Sequence, residues 1–457
     1  MNKRIIYILF CACTLMVWLS SCGEDRSWQY YEKIQSKTWM YETMEKNYLF
    51  YEDLPLADGL DFFSKPKDFL SRTASRRDGK NGILFSHVDS VFNSSRADNN
   101  PPSFGFEGVI MRVGNTNAIR VLYTQKDSPA QEMGLKRGDW IIAVDSAKIS
   151  TNDYFKYIGK PVKAHEFMMG ALTADGFDTL NVIRTPEPRI VQKRSILEHK
   201  LVKSGSRTAF YILYNEFEDD QNDWHKLFTE MSGYQFDDVI IDLRYNPGGY
   251  VSTAQLICTN LAPSEATGNV FMRLIPNKDL TNKEIVYHFD PELLNGGKTL
   301  QYNNLYVITT GNSASASEAL INCLRPYMKG RLLHVGTNTF GKNVAQQLFE
   351  DNDLAPMLEF WLTTSYVANS EGFMDYFENG LTPDFQVLED MGGILGDFAT
   401  EQDKMMTPVF YHMANGCFPQ GYPDHQEGDK SSRLMTLQVE ELYNPIAHQP
   451  KSFKLTK

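Results

Sequence analysis

Cysteine is scarce and badly placed for structural use. The 457 residues hold six, and three of these, Cys11, Cys13 and Cys22, fall within the first 22 positions. Cys258, Cys323 and Cys417 remain, an odd and widely spaced set that excludes a disulfide framework and has no metal-ligand spacing. His412, His425 and His448 are scattered without an H-E-x-x-H pattern or cysteine partners, so neither a metal site nor a cofactor is expected. Excess positive charge is missing as well: a formal net charge of -12 argues against a nucleic-acid partner. Internal repeats are absent, and long apolar runs are confined to the amino terminus. What is left, 42% hydrophobic and 22% charged residues, is ordinary globular composition, and the length allows two or three domains.

The one apolar run, Ile5 to Trp18, follows Lys3 and Arg4 and is too short and wrongly flanked for a stable membrane span, so it reads as a secretory leader. It ends in Leu19-Ser20-Ser21-Cys22, which resembles a bacterial lipobox. That resemblance implies a leader over 1–22, lipidation of Cys22, a membrane anchor and a place in the cell envelope. Gly23 follows Cys22 and lacks the aspartate tied to inner-membrane retention, so the outer membrane is the expected location.

Residues 23–100 read as a helical segment without visible chemistry. Met40, Met44 and Tyr48 recur every four residues, as on an amphipathic helix that Asp53-Leu54-Pro55 ends. Another short helix is expected over Asp61 to Ser71, and Asp78-Gly79-Lys80-Asn81-Gly82 reads as a turn. Further on, Val239 to Leu243 is an apolar strand running into Arg244-Tyr245-Asn246-Pro247-Gly248-Gly249, and Val251 to Leu261 follows as a helix. Leu305 to Thr310 is a second strand, breaking into Gly311-Asn312-Ser313-Ala314-Ser315-Ala316-Ser317-Glu318 before a helix over Ser315 to Tyr327. Strand and helix alternate, which predicts βαβ units over a largely parallel sheet with the site at the strands' carboxyl ends.

Asn246-Pro247-Gly248-Gly249, the small-S-A-S-E segment and Phe340-Gly341-Lys342 stand in one order, and together they resemble the carboxyl-terminal processing proteases. The resemblance implies an α+β and α/β multidomain protein: the helical segment, a PDZ-like β-domain over 101–188, a βαβ-containing protease core over 189–395 related to the ClpP/crotonase type, and an extension over 396–457. That extension is polar and irregular, and no role can be read from it. In the PDZ-like part, Ser103-Phe104-Gly105-Phe106 would be the carboxylate-binding loop, and Gly134 to Asp145 is the most specific stretch. A PDZ groove takes an extended peptide as an added strand.

The family motif, matched residue by residue, puts the nucleophile at Ser315, with Ser313 as runner-up and Ser317 read as a helix cap. It puts the base at Lys342, with Gln346 orienting it. Taken alone, Lys342 would read as a surface charge. To accept a proton near neutral pH its amine must be desolvated. The oxyanion hole would use the Ala316 N–H and a glycine of Gly248-Gly249. Protein or peptide substrates follow from this reading. Three features depart from the family pattern. Ser315 and Lys342 are 27 residues apart, slightly more than expected, with the extra length assigned to Arg325–Gly330; Pro326 stands where an acidic residue is usual; and Asn343 replaces a glycine. Two alternatives stay open at this point: a non-catalytic peptide-binding lipoprotein on the same fold, and a tricorn-type Ser–His arrangement using His87 or His334.

Overall fold

The computed structural model describes residues 27–90, 101–219, 221–351, 353, 357–420, 438–448 and 452–455. The leader and Cys22 lie outside these. Among the described residues, no helix is long and apolar enough to cross a membrane.

The helix Ser27–Asn47 opens the described chain and stops at Asn47, short of Asp53-Leu54-Pro55; a single 3-10 turn, Tyr51–Asp53, precedes that proline instead. The stripe at Met40, Met44 and Tyr48 is fully buried and packs with Phe340, Val344 and Phe360. Burying each such side chain stabilises by about 2 kcal/mol, so the helix is fixed on the sheet whose strand Val344–Phe349 follows Lys342. A second helix, Pro66–Thr73, opens on a proline at its first position, where the missing N–H costs nothing.

A two-stranded sheet, Gly79–Lys80 with Ile83–Leu84, and three larger sheets follow. The first has six strands in the order Phe385–Gln386, Leu332–Gly336, Asn304–Thr309, Asp238–Asp242, Arg207–Tyr214 and Ile196–Ser204. Its pairings are parallel except the last, which is antiparallel. The central strands are apolar on both faces because helices or loops cover both sides. On one side lie the helices Val251–Leu261 and Ala316–Leu324, which bury Cys258 and Cys323. The helix after Ser315 ends at Leu324, earlier than the sequence pattern implied, and Arg325–Gly330 form the turn beyond it.

A second six-stranded sheet is antiparallel throughout and holds Phe106–Val113, Thr116–Thr124, Trp140–Val144, Glu166–Thr173 and Gly176–Arg184, with Val439–Tyr443 added at the Phe106–Val113 edge. A third, mixed sheet runs Gly248–Tyr250, Ser452–Leu455, Val344–Phe349, Leu358–Ala368, Val270–Pro276, Ile285–His288, and His87–Ser90 also pairs with Leu358–Ala368. Within its described residues the carboxyl-terminal extension is thus not irregular. It holds a helix, Thr407–Asn415, and two strands that belong to two different sheets. Those strands are short and take their partners from far away in the chain, so no local pattern announces them.

Candidate active site

Two adjacent strands of the parallel sheet end at the same place. Asp238–Asp242 runs out into Asn246-Pro247-Gly248-Gly249, and Asn304–Thr309 into the serine-rich loop. The loops are laced together by backbone. Asn246 O accepts from the Ala314 N–H at 3.1 Å and from Ser317 Oγ at 3.0 Å, while Asn246 Nδ2 donates to Tyr214 O at 3.0 Å. Ser317 is therefore a tie between the loops and not a cap. Ser313 Oγ donates to Leu243 O at 2.7 Å, a structural role as well.

Ser315 itself sits at the N-cap of Ala316–Leu324 with φ +63°, a conformation L residues seldom hold. Such strain persists only where the surroundings impose it. Here Glu318 imposes it. Its carboxylate is buried and accepts four bonds: from the Ser315 N–H at 2.7 Å, the Lys342 N–H at 2.8 Å, the Gly341 N–H at 2.6 Å and Thr339 Oγ1 at 2.6 Å. One carboxylate holds both the serine loop and the lysine loop. Glu318 was visible only as a letter of the motif; its positioning role was missed.

Lys342 is 1% exposed, and its Nζ lies 3.3 Å from Ser315 Oγ. The same nitrogen donates to Val344 O at 2.9 Å and to Gln346 Oε1 at 3.0 Å. Gln346 is fully buried, so it orients the amine without water. Burial lowers the Lys342 pKa to about 7; Asp78 and Glu318 pull it upward, and Lys454 pushes it down. The amine also lies 5.3 Å from the centre of the Phe85 ring. Ser315, Lys342 and Gln346 are brought together.

Asp78, Tyr48 and Phe85 come from the segment that showed no chemistry in the sequence. Asp78 is fully buried, accepts from Tyr48 Oη at 2.9 Å and Thr363 Oγ1 at 2.5 Å, and has its pKa raised by burial to about 6. Asp78-Gly79 read only as a turn, and nothing local marks a carboxylate that acts on a lysine more than 200 positions away.

Ala316 occupies the first position of its helix, where the N–H has no intrahelical acceptor. Gly248 and Gly249 have φ +108° and +146°. The Gly248 N–H is already given to Asn246 Oδ1 at 2.9 Å, which leaves Gly249 as the better donor of the two. At the edge of the antiparallel sheet, Ser103, Gly105 and Phe106 border a cavity of about 390 Å³, while the Phe104 ring is fully buried in the sheet's own core. Neither histidine reaches the serine. His334 Nε2 pairs with Thr309 Oγ1 at 2.6 Å, and burial and Arg325 lower its pKa to about 3. His87 Nδ1 faces Phe85 O at 3.2 Å and its ring stacks on Trp361. The Ser–His alternative therefore has no geometric support. Asn343, in place of the usual glycine, donates from Nδ2 to Met374 O at 2.7 Å.

The chain is similar to known proteins. The model of Peptidase family S41 matches residues 209–387, and that of the Peptidase S41 N-terminal domain matches 35–87, together just over half of the chain. Carboxy-terminal processing protease CtpB of Bacillus subtilis is 28% identical over 275 residues, covering 56% of this chain and 52% of its own length. Carboxyl-terminal-processing peptidase 3, chloroplastic, of Arabidopsis thaliana is 24% identical over 368 residues, covering 76% and 67%. The chain thus spans about half to two thirds of the length of these curated relatives. A solved structure of a candidate S41 protease from Bacteroides fragilis superposes with a TM-score of 0.71 at 27% identity, over 83% of this chain and 97% of that one. The chain belongs to peptidase family S41, the carboxyl-terminal processing proteases, a family of serine-type peptidases.

Proposed function

We propose that the protein is a serine endopeptidase of the carboxyl-terminal processing type, cleaving exported or unfolded proteins through a Ser315–Lys342 dyad. The observation that carries this is a buried amine, lowered toward neutrality, against the hydroxyl of a strained N-cap serine. In its neutral form Lys342 accepts the Ser315 proton as Oγ attacks the scissile carbonyl. The resulting oxyanion takes the Ala316 and Gly249 N–H groups; one such donor stabilises the transition state by about 3 kcal/mol. Lys342 then hands its proton to the leaving amine; Lys342, neutral again, deprotonates the water that attacks the acyl group and returns that proton to Ser315 Oγ as the acyl–oxygen bond breaks. Gln346 keeps Nζ aimed throughout.

Further parts of this reading rest on the sequence. The antiparallel sheet acts as a PDZ-type module that receives apolar carboxyl-terminal tails at the loop Ser103–Phe106. The leader and Cys22 place the mature protein on a lipid anchor in the cell envelope, facing exported substrates. The test is hydrolysis of an unfolded protein such as casein by wild type and by Ser315→Ala. Cleavage by wild type alone supports the reading. Equal cleavage by both ends the Ser315 reading; no cleavage by either, together with retained peptide binding, replaces it with a peptide-binding scaffold.

A further inference from the structure

The carboxyl-terminal stretch touches both places where a substrate is expected. Val439–Tyr443 adds antiparallel to Phe106–Val113, which without it would be an open sheet edge, with Val439 opposite Val113 and Tyr443 opposite Ile110. It runs toward Ser103–Phe106. The Tyr443 ring lies 5.0 Å from that of Tyr154 and 6.5 Å from that of Phe155, and Arg112 pairs with Glu440 at 3.3 Å. Pro445, Ile446 and His448 then line the cavity that Ser103, Gly105 and Phe106 border. An exposed edge accepts any extended segment that offers backbone groups; here the chain's own tail fills it.

After residues 449–451 the tail enters the dyad's sheet. Ser452–Leu455 lies parallel between Gly248–Tyr250 and Val344–Phe349, with Phe453 opposite Gly249 and Lys454 opposite Gln346. The Phe453 N–H donates at 3.0 Å to Gln346 Oε1, the oxygen that also holds Lys342 Nζ. On the far side of the glycine strand, Phe217 N donates to Gly248 O and Tyr250 N donates to Phe217 O. Successive peptide groups of an extended strand face opposite edges. The Gly249 N–H, the donor assigned to the oxyanion, therefore faces the tail. Phe453 and Leu455 are buried among apolar side chains, and the Lys454 ammonium lies over the Tyr250 and Trp361 rings.

We propose that the gap between Gly249 and Gln346 is the seat of an extended substrate strand of apolar–x–apolar pattern, and that Ser452–Leu455 is its resting occupant, a plug in cis that leaves before substrate enters. This rests on the peptidase reading above. A tethered strand competes at an effective concentration on the order of millimolar, enough to keep weakly binding peptides out. It also ties the two sites together, since the tail that covers the antiparallel sheet's edge continues to the strand beside Gly249 and Gln346.

The experiment compares the full chain, a form lacking residues 438–457, and full-length Tyr443→Asp, which loosens the tail far from the dyad. Casein hydrolysis is measured in each, with circular dichroism to establish folding. Expected is a rise of about tenfold or more in kcat/KM for the loosened forms, reversed by a synthetic peptide of residues 438–455 added in trans. Since Phe453 packs in the main core, the truncated form can fail to fold, and Tyr443→Asp then decides. Folded loosened forms with unchanged or lower activity, and no inhibition by the peptide, overturn the proposal. A second readout does not need catalysis: on a Ser315→Ala background, a fluorescent peptide of residues 450–457 should bind the loosened form and not the full chain. Binding there with no casein cleavage by any form would sink the peptidase reading and leave the plug. Equal cleavage by all forms, with equal peptide binding, would sink the plug and leave the peptidase.

Discussion

Lys342 can be a base only while its charge is costly, and that cost has a pH signature. Its folded pKa is near 7, against 10.5 for a free lysine. Activity requires the neutral amine, so kcat/KM should climb through about pH 7, as a pH–rate profile on a peptide substrate would show. Asp78 pulls that pKa upward; Asp78→Asn should move the acid limb to lower pH, and a profile with an unmoved midpoint would deny Asp78 any electrostatic role. The same shift is a statement about stability. Between about pH 7 and 10.5 the unfolded chain holds a proton that the folded chain does not, so lysine's contribution becomes less unfavourable as pH rises. Lys342→Met removes the penalty. It should abolish hydrolysis yet stabilise the protein at pH 6 by an amount on the order of a few kcal/mol, since each pKa unit is worth about 1.4 kcal/mol. The gain should shrink toward zero near pH 10, which urea titrations at both pH values would test.

Elements place these residues, and two contacts show how tightly. Glu318 accepts two donors on each carboxylate oxygen. Glu318→Gln turns one oxygen into an amide N–H₂ that faces two donors. Buried donors left unpaired cost about 1–3 kcal/mol each, so a loss on the order of 3 kcal/mol is expected, with kcat falling more than KM rises because the nucleophile's backbone is released. Gly249 has no room for a side chain: an added Cβ would stand 2.0 Å from Phe217 O, at a φ that L residues avoid. Gly249→Ala should therefore shift the glycine strand, and thermal unfolding should register it even where the dyad is untouched. These contacts mark the limit of what the sequence displays. The strand–turn–helix around Ser315 and the helix after Gly248-Gly249 were legible because apolar runs, glycines and small residues act within a dozen positions. The Met40–Met44–Tyr48 stripe was legible as a packing face for the same reason, though its partner was not. Asp78 beside the lysine, Glu318 under both loops and Ser452–Leu455 next to Gln346 were illegible, because each gains its meaning from a contact far along the chain. The alternation Phe453–Lys454–Leu455 is a strand pattern, but over so few residues it cannot be told from chance.

At the scale of the whole molecule, the antiparallel sheet and the parallel core meet through buried charge. Arg137, in the turn before Trp140–Val144, donates to Glu389 at 2.5 Å and to Tyr245 Oη at 2.7 Å. Glu389 also takes Arg244 Nη1 at 2.9 Å, and Arg244 is shared with Asp242 at 2.6 Å and Asp403 at 2.7 Å. Burial alone would lift the Glu389 pKa, but Arg137 and Arg244 hold it at about 2. Leu243 and Asn246, which flank this cluster, are the residues that brace Ser313, Ala314 and Ser317. The network therefore connects the sheet proposed to receive tails with the loops that shape the nucleophile. Removing one partner strands the others in a dry interior, so Arg137→Met should destabilise by about 3–5 kcal/mol. Glu389→Gln should cost a comparable amount. If the two charges act as a pair, the double variant loses less than the sum of the single losses, by more than about 1 kcal/mol in a urea-unfolding cycle. Additive losses would mean that each charge is held by its other partners, such as Tyr245 Oη for Arg137, and that the Arg137–Glu389 pair itself does not join the two sheets.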